Sequence, residues 1–417
     1  MKDCPAMLDR RSPPGARVVC LTDDRSSLIY PDQPSFVLGG RGLVFYGAQG
    51  PLLCDLDHDF ATRPLFPDQL ARSVHVSLDG RYVYYTEHGE ANKDRLVLRR
   101  LDIATDRTET LFVAEGNLPG TTIKAGGISF QTFSLDNRRA ATTVWCGDGK
   151  TPDAPFGILV LDWEKSEVRI AVEHRDFFNS HLQYCPCPEG DAAHDLLIQM
   201  NHGGKSDEKG TVTLYLGPPS DGGADVHAVR DDGSNFRDLP FGRDGRESCI
   251  GHQVWRGHTR AAATVVLENQ DRSYGWADGT TQQVVAGYPV PGTLAGEHIG
   301  RRHRGAKRVV LSRGFRRPRF CHLSCDATGL KFVLDTFPIR NGERTGMLVY
   351  VGSATREDEP LRFRYVLNSG NLFNSGATPQ TRSPHAHPIM SPSGRELFFN
   401  SDLGGLHQAY AVTGVEF

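Results

Sequence analysis

Two histidines, His385 and His387, stand one residue apart in "RSPHAHPIMSPSGRELFFNSD" (382–402), directly before a strand, turn, strand pattern. Alternate residues of a strand face the same way, so both imidazoles lie on one side. Neutral imidazoles converging from separate strands suit a divalent transition metal. His252, in "ESCIGHQVW", is the third candidate ligand. His181, in "RDFFNSHLQY", and His202, in "LLIQMNHGG", have no ligand spacing of their own. A histidine of that kind beside a Lewis acid is a candidate general base. Taken singly, each of these histidines reads as a satisfied core or interface residue; their joint placement is what points to a site.

That placement comes from a repeat. A phrase of short strand, Ser-x-Asp/Ser-Gly turn and apolar strand recurs seven times, for example in "HVSLDGRYVYYTE", "HLSCDATGLKFVLDT" and "HPIMSPSGRELFFNSD". The turn positions are Gly40, Gly80, Asn137, Gly190, Gly257, Gly329 and Gly394, with steps from 40 (Gly40 to Gly80) to 72 residues (Gly257 to Gly329). Each step holds four strands, and no long stretch has helical periodicity. Gly 45 and Pro 25 agree with many strands joined by many turns. The expectation is all-β: a seven-bladed β-propeller of four-stranded antiparallel blades, with the isolated strand in "ARVVCLTDD" completing the last blade. Residues 1–16 are then an N-terminal extension and 17–417 a single domain. In such a ring the residues five to ten before each turn gather at one mouth of the channel. His75, His181, His252, His322, His385 and His387 all fall there, and His202, at the end of a second strand, returns to the same mouth.

Composition narrows the function. The net charge of −3 gives no basic field to gather nucleic acid. No run of about 18 apolar residues predicts a membrane span. The opening "MKDCPAMLDRRSPPGARVV" has no apolar leader segment, which predicts a cytoplasmic location. Nine cysteines at irregular spacing read as reduced thiols. The pairs Cys185/Cys187 and Cys321/Cys325 would hold zinc only by sharing it, since no second pair stands at zinc-finger spacing. The arginine-dense stretch "RRHRGAKRVVLSRGFRRPRF" (301–320) reads first as a solvated edge and second as a surface for an anionic substrate. Oligomeric state is not encoded in any of these features.

At the histidines the chain resembles the oligogalacturonate lyase family, cytoplasmic seven-bladed propeller lyases that degrade short pectin fragments. "VVCLTDDRSSLIYPDQPSF" is similar to the family's opening strand and first blade, "ESCIGHQVW" to its Glu-Ser-Cys-Thr-His-Glu-Phe-Trp stretch, "HLSCDATG" to its His-Leu-Met-Ser segment, and "HAHPIMSPSGRELFFNSDLGG" to its His-Pro-His-Pro final blade. The resemblance implies Mn²⁺, or another divalent metal, on His252, His385 and His387. The family's fourth ligand is a glutamine three residues before the pair; Arg382 stands there, and Gln380 is the nearest glutamine. It implies a catalytic arginine and histidine in "EHRDFFNSHLQYCP" and "QMNHGG", for which Arg175 and either His202 or His181 are the candidates. The expected activity is metal-assisted β-elimination on an anionic uronate oligosaccharide, leaving a 4,5-unsaturated uronate. The alternatives are a propeller lyase for another uronate linkage, of the rhamnose-glucuronate or ulvan type, and a non-enzymatic propeller that serves as a binding platform.

Overall fold

Short β-branched and aromatic runs between turn residues dictate strands, and apart from single 3-10 turns every element among the described residues is a strand. A computed structural model describes residues 2–66, 71–87, 94–215, 223–242, 247–268, 280–292, 294, 307–341, 344–371 and 385–415. By internal contacts the chain divides into two compact units, Met1–Tyr85 with Leu101–Thr108 and Arg317–Phe417, and Thr86–Arg100 with Glu109–Arg316. No helix among the described residues is long and apolar enough to cross a membrane.

In the first unit, Arg17–Cys20 pairs antiparallel with Gln408–Thr413, from Arg17 opposite Thr413 to Cys20 opposite Tyr410. Lys2–Asp3 adds outside it, and Leu397–Ser401 and Ile389–Met390 complete a five-stranded sheet. The strand in "ARVVCLTDD" thus joins the last strand of the chain. A second sheet holds Ser26–Leu28, Gly42–Gly47, Gly50–Asp55 and Ala61–Pro64, with Phe36–Val37 also paired to Gly42–Gly47. A third holds Phe320–Cys325, Lys331–Thr336, Leu348–Ser353 and Arg362–Asn368 in chain order.

Both faces of the inner strands of these sheets are buried, which explains why strands such as "GLVFYG" read as apolar throughout rather than alternating. Leu43 and Phe45 enter one cluster with Phe398 and Ala411. Val44, between them, enters another with Val37 and Val83. Full burial of a side chain like that of Phe45 contributes about 2–3 kcal/mol.

In the second unit, Thr132–Phe133, Arg139–Trp145, Phe156–Asp162 and Glu167–His174 form a four-stranded antiparallel sheet. A ten-stranded sheet runs from Gln183–Tyr184 through Asp195–His202, Gly223–Arg230, Glu247–Cys249, Ala262–Glu268 and Thr281–Gly287 to Arg308–Val310.

At Gly80, Asn137, Gly329 and Gly394 the repeated turn has one geometry. The fourth turn residue donates its N–H to the carbonyl of the first, Gly80 to Ser77 at 2.9 Å, Asn137 to Ser134 at 2.9 Å and Gly394 to Ser391 at 2.8 Å. That residue takes a positive φ, 68° at Gly80, 58° at Asn137 and 66° at Gly394. Such backbone favours Gly or Asn. At Gly80 a Cβ would also lie 2.8 Å from the carbonyl oxygen of Phe36.

Candidate functional site

In the first unit, residues 385–388 precede Ile389–Met390, and Asn400 donates its N–H to the Ala386 carbonyl at 2.7 Å. Ala386 is fully buried among Met347, Val349 and Phe399, while His385 and His387 on either side of it are only partly buried. Their rings stack with centroids 5.2 Å apart. His322 meets both nearly edge-on, 4.6 Å from His385 and 4.4 Å from His387. One nitrogen of each of the three lies within 4.8 Å of the others.

His322 reaches this position through a β-bulge. Phe320 opposes Thr336 and Leu323 opposes Leu334, so Cys321 and His322 together face the single residue Asp335. A bulge bends its strand and re-aims a side chain. The fully buried Asp335 carboxylate accepts the His322 N–H at 2.8 Å, His322 Nδ1 at 3.0 Å and the His387 N–H at 3.1 Å. With Nδ1–H committed to Asp335, the lone pair of His322 sits on Nε2, the arrangement by which a carboxylate orients a metal-ligating imidazole.

Burial pushes the Asp335 pKa up, against the pull of His387 and the His322 N–H. Burial also lowers the pKa of His385, which keeps it neutral and able to offer a lone pair. Cys321 Sγ lies 3.9 Å from His322 Nε2, and burial pushes its thiol pKa well above the usual range. Tyr30 stands edge-on to His387 at 4.7 Å. His387 itself has φ of 44°, a left-handed backbone rare for a residue with a side chain. Strain of this kind persists where surrounding structure enforces it, which is common at ligand sites. A donor set of three imidazoles with a buried carboxylate behind one of them fits a divalent transition metal.

In the second unit, His181 and His252 stand two residues ahead of two short strands, Gln183–Tyr184 and Val254–Trp255. Gln183 Nε2 ties those strands by donating to the Gln253 carbonyl at 2.8 Å, and the Trp255 indole N–H donates to the Gln183 carbonyl at 3.1 Å. The two imidazoles meet edge to face at 5.2 Å. Both backbones are left-handed, φ 47° at His181 and 56° at His252. Asn179 Nδ2 lies 3.2 Å from His181 Nε2 and also donates to the Tyr215 hydroxyl.

His202 ends the strand Asp195–His202, which Asn201 fastens to the 178–179 loop by donating to the Phe178 carbonyl at 2.6 Å. Its Nδ1 is 2.9 Å from Asp176 and its Nε2 2.8 Å from Asp225. Asp225 in turn binds His227 Nε2 at 2.9 Å, and His227 Nδ1 binds Asp238 at 2.9 Å. Five side chains thus alternate carboxylate and imidazole. Burial alone would raise the Asp225 pKa, yet His202 and His227 hold it well below the carboxylate range. Burial opposes charge on His227, and Asp225 and Asp238 outweigh it, raising its pKa to about 9. Arg175 opens a 3-10 turn with its guanidinium mostly exposed, its Nε 3.6 Å from Asp176.

An open pocket of about 470 Å³ in the same unit is lined by Lys124, Gln131, Thr143 and Trp145. Thr143 hydrogen-bonds the hydroxyl of Ser180, next to His181, at 2.5 Å.

The structure therefore brings His385 and His387 together with His322, which the repeat phase put near them without naming it a ligand. Asp335 and Tyr30 carried no sequence signal at all. His252 packs edge to face on His181. Gln380, like Arg382, lies outside the described residues. Arg175 and His202 share the Asp176 carboxylate. All nine cysteines are free, and Cys185 and Cys187 sit in an apolar cluster with Leu197 and Trp255. Within the arginine-dense stretch, Arg308 forms a bidentate pair with Glu247 at 2.9 and 2.6 Å, while Arg313, Arg316 and Arg317 are exposed.

No family model and no curated protein matches the chain. Among solved structures it is similar to an oligogalacturonate lyase from Vibrio parahaemolyticus, with 17% identity over 97% of this chain and 96% of that one and a TM-score of 0.66. It is also similar to an oligogalacturonate lyase in complex with manganese, with 17% identity over 96% and 94% of the two chains and a TM-score of 0.65. The chain has the fold of these two structures along nearly its whole length.

Proposed function

We propose that the protein is a metal-dependent uronate lyase that cleaves short uronate oligosaccharides, oligogalacturonate-like, by β-elimination, on a seven-bladed β-propeller. The observation that carries this reading is the cluster of His322, His385 and His387 backed by Asp335, in a fold shared with a lyase that was solved with manganese. Those three histidines are the proposed ligands. A divalent cation on them would supply Lewis-acid stabilisation of negative charge on the substrate carboxylate.

β-Elimination removes the proton at C5 of the uronate, forms the C4=C5 double bond from that electron pair, and breaks the bond from C4 to the leaving oxygen, which takes up a proton. The C5 proton is weakly acidic because charge builds beside an existing carboxylate. Arg175 presents an exposed guanidinium, and its fork of N–H donors matches the two oxygens of a sugar carboxylate. His181 is the proposed base: the Asn179 amide group faces Nε2 as a donor, which leaves that nitrogen unprotonated. His202 has both nitrogens against carboxylates, a poor arrangement for accepting a further proton. The pocket carrying Lys124 and Trp145 suits an acidic sugar, with an ammonium for its carboxylate and an indole for its apolar face.

The same groups act on any uronate with a leaving group at C4, so the test is a panel. Galacturonate, glucuronate-rhamnose and ulvan-type oligosaccharides are incubated with the protein, with added manganese or with EDTA, and the unsaturated product is followed by ultraviolet absorbance. Manganese-dependent product from at least one supports the reading. No product from any of them, with the metal shown to be bound, overturns it.

A further inference from the structure

The alternating chain Asp176, His202, Asp225, His227, Asp238 is too costly to be a neutral packing choice. Three carboxylates and two imidazoles, with side chains between 3% and 16% exposed, occupy space that apolar residues would fill at lower desolvation cost. Each histidine faces a carboxylate through both of its nitrogens, at 2.8–2.9 Å. A carboxylate accepts and does not donate, so an imidazole between two of them is satisfied only when both nitrogens carry protons. We infer that Asp225, His227 and Asp238 are positioning residues that, with Asp176, hold His202 as a permanent imidazolium, whose role is to fix Asp176 beside Arg175 and not to accept the substrate proton.

The assignment to catalysis rests on the lyase reading; the protonation state does not. Each element packed against the five side chains contributes its own groups. His174 and Arg175 lie on the Asp176 side. Cys249 approaches Asp225, and burial keeps its thiol protonated. Phe236 covers His227 at 4.9 Å. Arg175 brings a fixed positive charge, and it sits against Asp176 rather than His202. None of these groups takes a proton from His202. Asp176 lies in the turn after Glu167–His174 and Asp225 in the strand Gly223–Arg230, so the imidazolium also staples the turn that carries Arg175 to the sheet.

The test uses the full chain labelled with ¹⁵N in its 16 histidines, with His202→Gln to assign the resonance. Two-bond ¹⁵N spectra separate an imidazolium from either neutral tautomer. At pH 7.5 the wild-type His202 should give the imidazolium pattern, and in Asp225→Asn a neutral tautomer protonated on Nδ1. A neutral His202 in the wild-type spectrum overturns the inference without recourse to any variant. In turnover, His202→Gln should raise KM at least tenfold and retain measurable kcat, whereas complete loss of kcat in a folded variant identifies His202 as the base and overturns it. An imidazolium in a protein inactive on every uronate would sink the lyase reading alone.

Discussion

His227 ties stability to pH in a way that can be worked out in advance. Its folded pKa of about 9 lies above the ordinary value of 6.5. The folded state therefore binds one proton more than the unfolded chain between these values. Unfolding free energy falls with rising pH by at most about 1.4 kcal/mol per unit in that window. Integrated over the shift this amounts to about 3 kcal/mol, fully present below pH 6.5 and lost by the time pH has passed about 9. No discount for solvent applies, since the side chain is 3% exposed. Asp225 acts in the opposite sense: held below its usual value, it contributes stability that is lost in acid. The four tryptophans all fall between Glu109 and Arg316, so urea unfolding followed by their fluorescence reports on the unit that contains His227. With an m of about 2–3 kcal/mol/M, the urea midpoint should drop by about 1 M between about pH 6.5 and 9.5. His227→Gln should be less stable at about pH 6.5 by about 3–5 kcal/mol, because Asp225 and Asp238 lose a charged partner, and should show a clearly shallower slope, the remainder coming from His202. Equal slopes for the two proteins would refute the chain of alternating charges as described.

His385→Ala or His387→Ala should abolish tight manganese binding in titration calorimetry, and Asp335→Asn should weaken it about 10–100-fold while leaving the fold intact; His252→Ala, measured alongside, checks its sequence-based assignment as a ligand. His181→Ala should remove the ultraviolet product signal with circular dichroism unchanged. Lys124→Ala and Trp145→Ala should each raise KM for an acidic oligosaccharide several-fold, with kcat nearly constant, if the pocket they line holds a neighbouring sugar. Gly80→Ala should lower stability by more than about 1 kcal/mol in thermal melts, since a Cβ meets the Phe36 carbonyl at 2.8 Å and φ is 68°.

Features that depend on neighbours along the chain were legible in the sequence. Turn phase is local: a backbone with φ near 60° favours Gly or Asn, so Gly80, Asn137 and Gly394 mark hairpins by residue type alone. The spacing of His385 and His387 around the apolar Ala386 was equally legible, although the left-handed backbone at His387, φ 44°, shows that strand alternation is not what brings their rings together. The early strand Arg17–Cys20, isolated in sequence, was expected to pair with the last strands of the chain, and it pairs with Gln408–Thr413. Which distant groups complete each histidine is instead a matter of packing. His322 joins the pair because one extra residue in its strand puts it opposite Asp335, and a bulge leaves no periodic trace. The state of His202 was set by Asp225 on the next strand and Asp176 in a turn 26 residues earlier (202 less 176). Spacing can bring an imidazole to a site, but its protonation depends on the charges that packing places against both of its nitrogens.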